Sequence, residues 1–174
     1  NPQMSIDFNQ NYFQLFEIEC SVLIDHEVLE KKYLSFQKNF HPDKYVNGSD
    51  QERRISLQIT SYINEAYQTL KNDYLKSIYL LKIKGFEVDD QNNTISDPEF
   101  LMHQMELREE SEEIQLKPDI KSNENFIAKI KNLKEGCLEN FEKKYNKSLY
   151  DEASNKIKEM KFYTSIENDF KRNL

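Results

Sequence analysis

Tryptophan is missing from this chain of 174 residues, and glycine (3), proline (4) and cysteine (2) are scarce. Gly48, Gly85 and Gly136 are too few and too scattered for a glycine-rich phosphate cradle. They also leave a sheet protein without turn residues. Cys20 and Cys137 stand far apart with no Cys-x-x-Cys, which gives no disulfide framework, no zinc ribbon and no case for cluster ligation, and fits a reducing compartment. Both thiols are expected to be buried. No apolar run reaches the length of a membrane span, and no lipidation motif is present. Positive charge is also short: Lys and Arg total 24 against 31 Asp and Glu, a formal net charge of −7 with a pI near 5.1. That balance argues against nucleic acid as a main partner. What remains is 12% aromatic residues and helical apolar periodicity along most of the chain, which together predict an all-α protein.

The acidity is uneven. Acids dominate between Ser96 and Ile114, whereas Lys31 to Lys44 is net basic, so the chain presents two differently charged surfaces suited to two partners. A first helix is expected over Asn11–Glu17. A second begins at an Asp25 N-cap and carries Leu29, Tyr33, Phe36 and Phe40 as one buried stripe. Ser49 and Glu52 form a capping-box pattern. It opens a long helix expected to run through Ile55, Ile59, Ile63, Ala66 and Leu70, and on through Tyr74, Ile78 and Leu81 to Gly85. The polar run Asp89-Asp90-Gln91-Asn92-Asn93-Thr94 is the expected linker. Its superficial likeness to a calcium loop fails for lack of the turn glycine and of an acid at the closing position. Ser96-Asp97-Pro98-Glu99 starts the next helix, reading as a capping box with proline in the first turn. Two more helices follow, from about Asn123 to Tyr145 and from Leu149 towards Phe170. The last has Leu149, Ala153, Ile157 and Met160 as its expected core stripe.

His41-Pro42-Asp43 is the most informative tripeptide. Pro42 donates no N–H and pushes its predecessor out of the α region, so the second helix ends there and His41 and Asp43 stand on a tight loop. Taken alone, His41 and Asp43 read equally well as ordinary turn and capping residues.

Together with Ile63-Asn64-Glu65-Ala66-Tyr67-Gln68-Thr69-Leu70, this stretch resembles the J-domain of DnaJ-like co-chaperones. In those proteins a His-Pro-Asp loop joins two antiparallel helices and triggers ATP hydrolysis by a DnaK-type chaperone. Leu101-Met102-His103-Gln104-Met105-Glu106-Leu107-Arg108-Glu109-Glu110 is similar to the signature of the HscB family, the J-proteins of iron–sulfur cluster biogenesis. The resemblance implies a J-domain at 9–86, a linker at 87–95 and a three-helix bundle at 96–174. It further implies that His41, Pro42, Asp43, Lys38, Lys31 and Lys32 meet a DnaK/HscA-type chaperone. Asp43 would accept from a partner arginine while the lysines face an acidic surface.

The helix near Phe100 has two faces at about 100° per residue. Phe100, Leu107 and Ile114 cluster on one side. Leu101, Met102 and Met105 lie roughly opposite, beside Glu106, Glu109 and Glu113. This second face either packs on a neighbouring helix or forms a partner surface of adaptable apolar groups flanked by carboxylates. Phe162 projects away from the core stripe of the last helix and is expected to join that patch. The resemblance implies that Leu101, Met102, Met105, Glu106, Glu109, Glu113 and Phe162 contact an IscU-type cluster scaffold.

The expected protein is therefore a co-chaperone without catalytic residues, cofactor or metal, since His26, His41 and His103 lack partners at ligand spacing. It brings scaffold and chaperone together and leaves ATP hydrolysis to the chaperone. The alternatives are a general J-protein delivering unfolded clients and a small hydrolase using His41 and Asp43. The lack of a presequence-like start places the chain in a bacterial cytoplasm, with a mitochondrial matrix as the alternative, and neither membrane nor nucleic acid is an expected partner.

Overall fold

A computed structural model describes residues 6–88 and 97–174. These residues form seven α-helices and a short 3-10 turn, with no strand among them. The chain divides into two compact units, one ending at Ile83 and one beginning at Lys84. The calcium-like run and most of the expected linker lie outside the described residues.

In the first unit, α1 (Tyr12–Leu15) opens with a capping box between Asn11 and Gln14. It is shorter than expected because Glu17 turns the backbone to φ 53°. Helix α2 (His26–Phe40) starts at Asp25, whose carboxylate accepts from the Glu27 and Val28 N–H groups. Leu29 is fully buried, whereas Tyr33, Phe36 and Phe40 are only half-buried. Helix α3 (Asp50–Lys71) starts at the Ser49–Glu52 capping box. The single long helix expected from here to Gly85 is in fact two, since Asn72 adopts an extended conformation (φ −101°, ψ 119°). Its side-chain oxygen accepts from the Leu75 N–H at 2.9 Å, capping α4 (Asp73–Ile83). The apolar period runs unbroken across this joint and hides it.

The α2–α3 pair is fastened by Tyr33, stacked on Tyr67 with ring centroids 3.9 Å apart. Its hydroxyl donates to Asn64 Oδ1 at 2.7 Å, and Gln37 donates to the same oxygen at 2.8 Å. Helix α1 is held by Tyr12, which stacks on Tyr79 at 4.3 Å and donates its backbone N–H to the Tyr79 hydroxyl. Burial, with the Glu65 carboxylate nearby, pushes the Tyr12 phenol up to about 12.

The second unit holds α5 (Pro98–Leu116), α6 (Ile120–Asn146) and α7 (Tyr150–Arg172). The N-cap of α5 is Asp97, accepting from the Glu99 N–H, with Pro98 in the first turn; Ser96, the cap expected from the sequence, lies outside the described residues. Helices α6 and α7 share a core of Phe126, Ile130, Phe141, Ile157, Met160 and Phe170, each at most 1% exposed. Leu149 departs from the expected stripe: it precedes the first turn of α7 as N-cap and is 41% exposed. The thiols also differ from expectation, since Cys137 is buried but Cys20 is exposed. Cys137 donates to the Lys156 carbonyl at 3.0 Å. Burial, with Glu159 close by, pushes its thiol up to about 12, so it stays protonated at neutral pH.

Candidate functional site

The loop after α2 is built from both sides. Phe40 carries one of the last carbonyls of α2, a group that a helix end leaves without an intrahelical donor. Two hydroxyls from α3 satisfy it, Ser56 Oγ at 2.7 Å and Thr60 Oγ1 at 3.0 Å. His41 then serves as C-cap of α2 and N-cap of the 3-10 turn Pro42–Tyr45. Its Nδ1 accepts from the Asp43 N–H at 3.2 Å. Further along, the Tyr45 hydroxyl donates to the Asn39 carbonyl at 3.1 Å, and Arg53 donates to the Val46 carbonyl at 3.2 Å. The backbone is thus tied down while the Asp43 side chain stands 89% exposed, a carboxylate offered outward on a fixed base.

Of the three lysines, Lys31 and Lys38 are exposed and lie seven residues apart, on one face of α2. Lys32 is turned elsewhere: its ammonium donates to the Glu17 carbonyl at 2.8 Å. The residues that position this loop from a distance, Ser56, Thr60 and Arg53, are not apparent from the sequence. Ser56 carries the one available signal, as a polar residue on the inward stripe of α3.

On α5 the structure separates the two faces. Phe100 and Leu107 are buried, with Ser111, and His103 Nε2 lies 3.1 Å from the Tyr163 hydroxyl on α7. The opposite face is open: Leu101, Met102 and Met105 are 45%, 61% and 63% exposed. Glu106, Glu109, Glu112 and Glu113 are exposed around them, and none has an ion-pair partner among the described residues. Glu110 by contrast faces α6, where Lys129 binds it at 2.7 Å.

Phe162 corrects its expected placement. It is only 8% exposed, set edge-to-face against Phe100 with centroids 5.9 Å apart and covered by the Arg108 guanidinium 5.4 Å from its ring centre. The helical-wheel reading assumed one neighbour for α7, but α5 packs on a second side and buries the aromatic there. Arg108 is a residue the sequence did not single out. Leu116 is another; it is 86% exposed and falls on the Met105–Glu109 face by the same rotation of about 100° per residue.

Among the described residues no group of three or more His, Cys, Asp or Glu is placed to hold a metal, and no helix is long and apolar enough to cross a membrane.

A family model described as the HSCB C-terminal oligomerisation domain matches residues 96–171. The co-chaperone protein HscB homolog of Vibrio parahaemolyticus is 35% identical over 160 residues, 91% of this chain and 94% of its own length. The chain belongs to the HscB co-chaperone family. A homolog from Neisseria meningitidis is likewise 35% identical over 91% of this chain and 95% of its own. The solved chaperone HscB from Vibrio cholerae superposes with a TM-score of 0.82 at 32% identity, covering 94% of this chain and 96% of that one. Human co-chaperone HscB shares the fold, with a TM-score of 0.87 at 24% identity over 97% of this chain and 84% of that one. This chain thus carries an outward-facing Asp43 in one unit and an acidic, apolar helix face in the other.

Proposed function

We propose that this chain is a J-protein adaptor of iron–sulfur cluster assembly. Its first unit, the J-domain, engages a DnaK/HscA-type chaperone, and its three-helix unit holds an IscU-type scaffold. The observation that carries the reading is the loop geometry. Asp43 is exposed on a backbone tied by Ser56, Thr60, Tyr45 and Arg53, which favours a bond to a partner arginine with little ordering cost. Lys31 and Lys38 on one face of α2 suit an acidic surface beside it, whereas Lys32 braces the turn after α1. ATP is hydrolysed by the chaperone, and this chain supplies only the trigger, in the bacterial cytoplasm.

The α5 face supports the second half. Three exposed apolar side chains surrounded by four exposed carboxylates select a partner with an apolar patch and a basic rim. A second copy of the same face would bring like charges together. Phe162 acts from beneath, as the ring on which α5 and Arg108 rest. Holding both partners on one chain raises the scaffold's effective concentration at the chaperone.

Single-turnover ATPase assays with the purified chaperone test the reading. Asp43→Ala is expected to lose stimulation with helix content unchanged, because the side chain makes no core contact. Near-normal stimulation by that variant would overturn the J-domain role.

A further inference from the structure

The exposed face of α5 does not stop where the apolar cluster stops. Taking Leu101 as the origin, rotation of about 100° per residue puts Met105 near 40°, Glu109 near 80°, Glu112 near 20°, Glu113 near 120° and Leu116 near 60°. All lie on one side of the helix, away from buried Phe100 and Leu107. The face therefore reads along its length as apolar, then acidic, then apolar again. Leu116 is 86% exposed, and Ile120, just past the turn into α6, is 77% exposed. Two large aliphatic side chains left in water four residues apart in the chain are unusual for a small domain. The carboxylates between the two ends are equally idle, with no ion-pair partner among the described residues. Arg108 could pair with Glu112 one turn on, yet its guanidinium lies over Phe162.

We infer that Leu116 and Ile120 form a second apolar anchor of the scaffold-docking surface, so that the partner is gripped at both ends of α5. This rests on the reading of α5 as the scaffold-binding face. The occupant follows from the charge pattern: a segment of the scaffold with apolar side chains about 16 Å apart, the rise over the eleven steps from Met105 to Leu116, and basic residues between them opposite Glu109, Glu112 and Glu113. A second copy of this chain is a poor occupant, since pairing α5 with itself sets four unpaired carboxylates against four more.

Binding of the purified cluster scaffold protein to the full chain, measured by calorimetry across a salt series, tests this. The variants are Leu116→Ser with Ile120→Ser, and separately Met105→Ser. The double variant is expected to keep its melting temperature and to bind about tenfold more weakly or worse. Met105→Ser is expected to weaken binding on its own. If the double variant binds like the wild type while Met105→Ser does not, the second anchor is refuted and the docking face stands. If the wild type itself does not bind the scaffold, the docking reading falls and the anchor falls with it.

Discussion

Met105 and Phe162 were expected to act together, and their surroundings set them apart. Met105 is 63% exposed, whereas Phe162 is 8% exposed between Phe100 and the Arg108 guanidinium. Truncating a buried phenylalanine costs about 3–5 kcal/mol, while an exposed side chain stays within about 0.5 kcal/mol. Phe162→Ala is therefore expected to lower the melting temperature of the three-helix unit by roughly 10 °C or more. Met105→Ala should leave it unchanged yet weaken scaffold binding. Thermal unfolding and calorimetric binding on the same preparations check both halves, and equal stability losses for the two would place Met105 in the core. At this scale the sequence was legible where one residue type has one use, as with Asp25, Ser49 and Pro42. Phe162 was not, because its environment is made by α5, more than forty residues earlier in the chain, and no local pattern reports that contact. Cys20 shows the same limit, since composition alone does not tell an exposed thiol from a buried one.

The starts of α2 and α3 were readable because caps are local chemistry, an oxygen within three residues of the N–H it accepts from, whereas α6 begins at Ile120 on an Asp119 cap, ahead of the expected Asn123. The joint between α3 and α4 was not readable, since Asn72 breaks the backbone while the apolar period continues across it. The support of the His41 loop is also non-local: Ser56 and Thr60 reach the Phe40 carbonyl from 16 and 20 residues away. Removing both hydroxyls strands a carbonyl at the end of α2, at a cost of about 1–3 kcal/mol if water cannot replace them. Ser56→Ala with Thr60→Ala is expected to speed hydrogen exchange across residues 41–48 and to reduce stimulation of the chaperone ATPase, with Asp43 still in place. Unchanged exchange together with unchanged stimulation would mean that the 3-10 turn holds the loop by itself.

Each half of the molecule has its own core. Phe13, Phe16, Leu29, Ile63 and Leu80 fill the first unit and Phe126, Phe141, Ile157, Met160 and Phe170 the second, all 1% exposed or less. The opposite charge of the Lys31–Lys44 and Ser96–Ile114 stretches made two surfaces legible in the sequence, and the separate cores give each surface its own support. If the units also unfold separately, a core lesion in one should leave the partner of the other unaffected. Ile63→Ala, at a site 1% exposed, should cost the first unit about 2–5 kcal/mol. Scanning calorimetry is then expected to show one early transition and one unshifted transition. Between the two, at temperatures where the first unit has melted, chaperone stimulation should be lost while scaffold affinity equals that of the wild type. A single shared transition, with stimulation and scaffold binding lost together, would instead mean that the two halves fold as one cooperative body and that the adaptor cannot hold its scaffold without an intact J-domain.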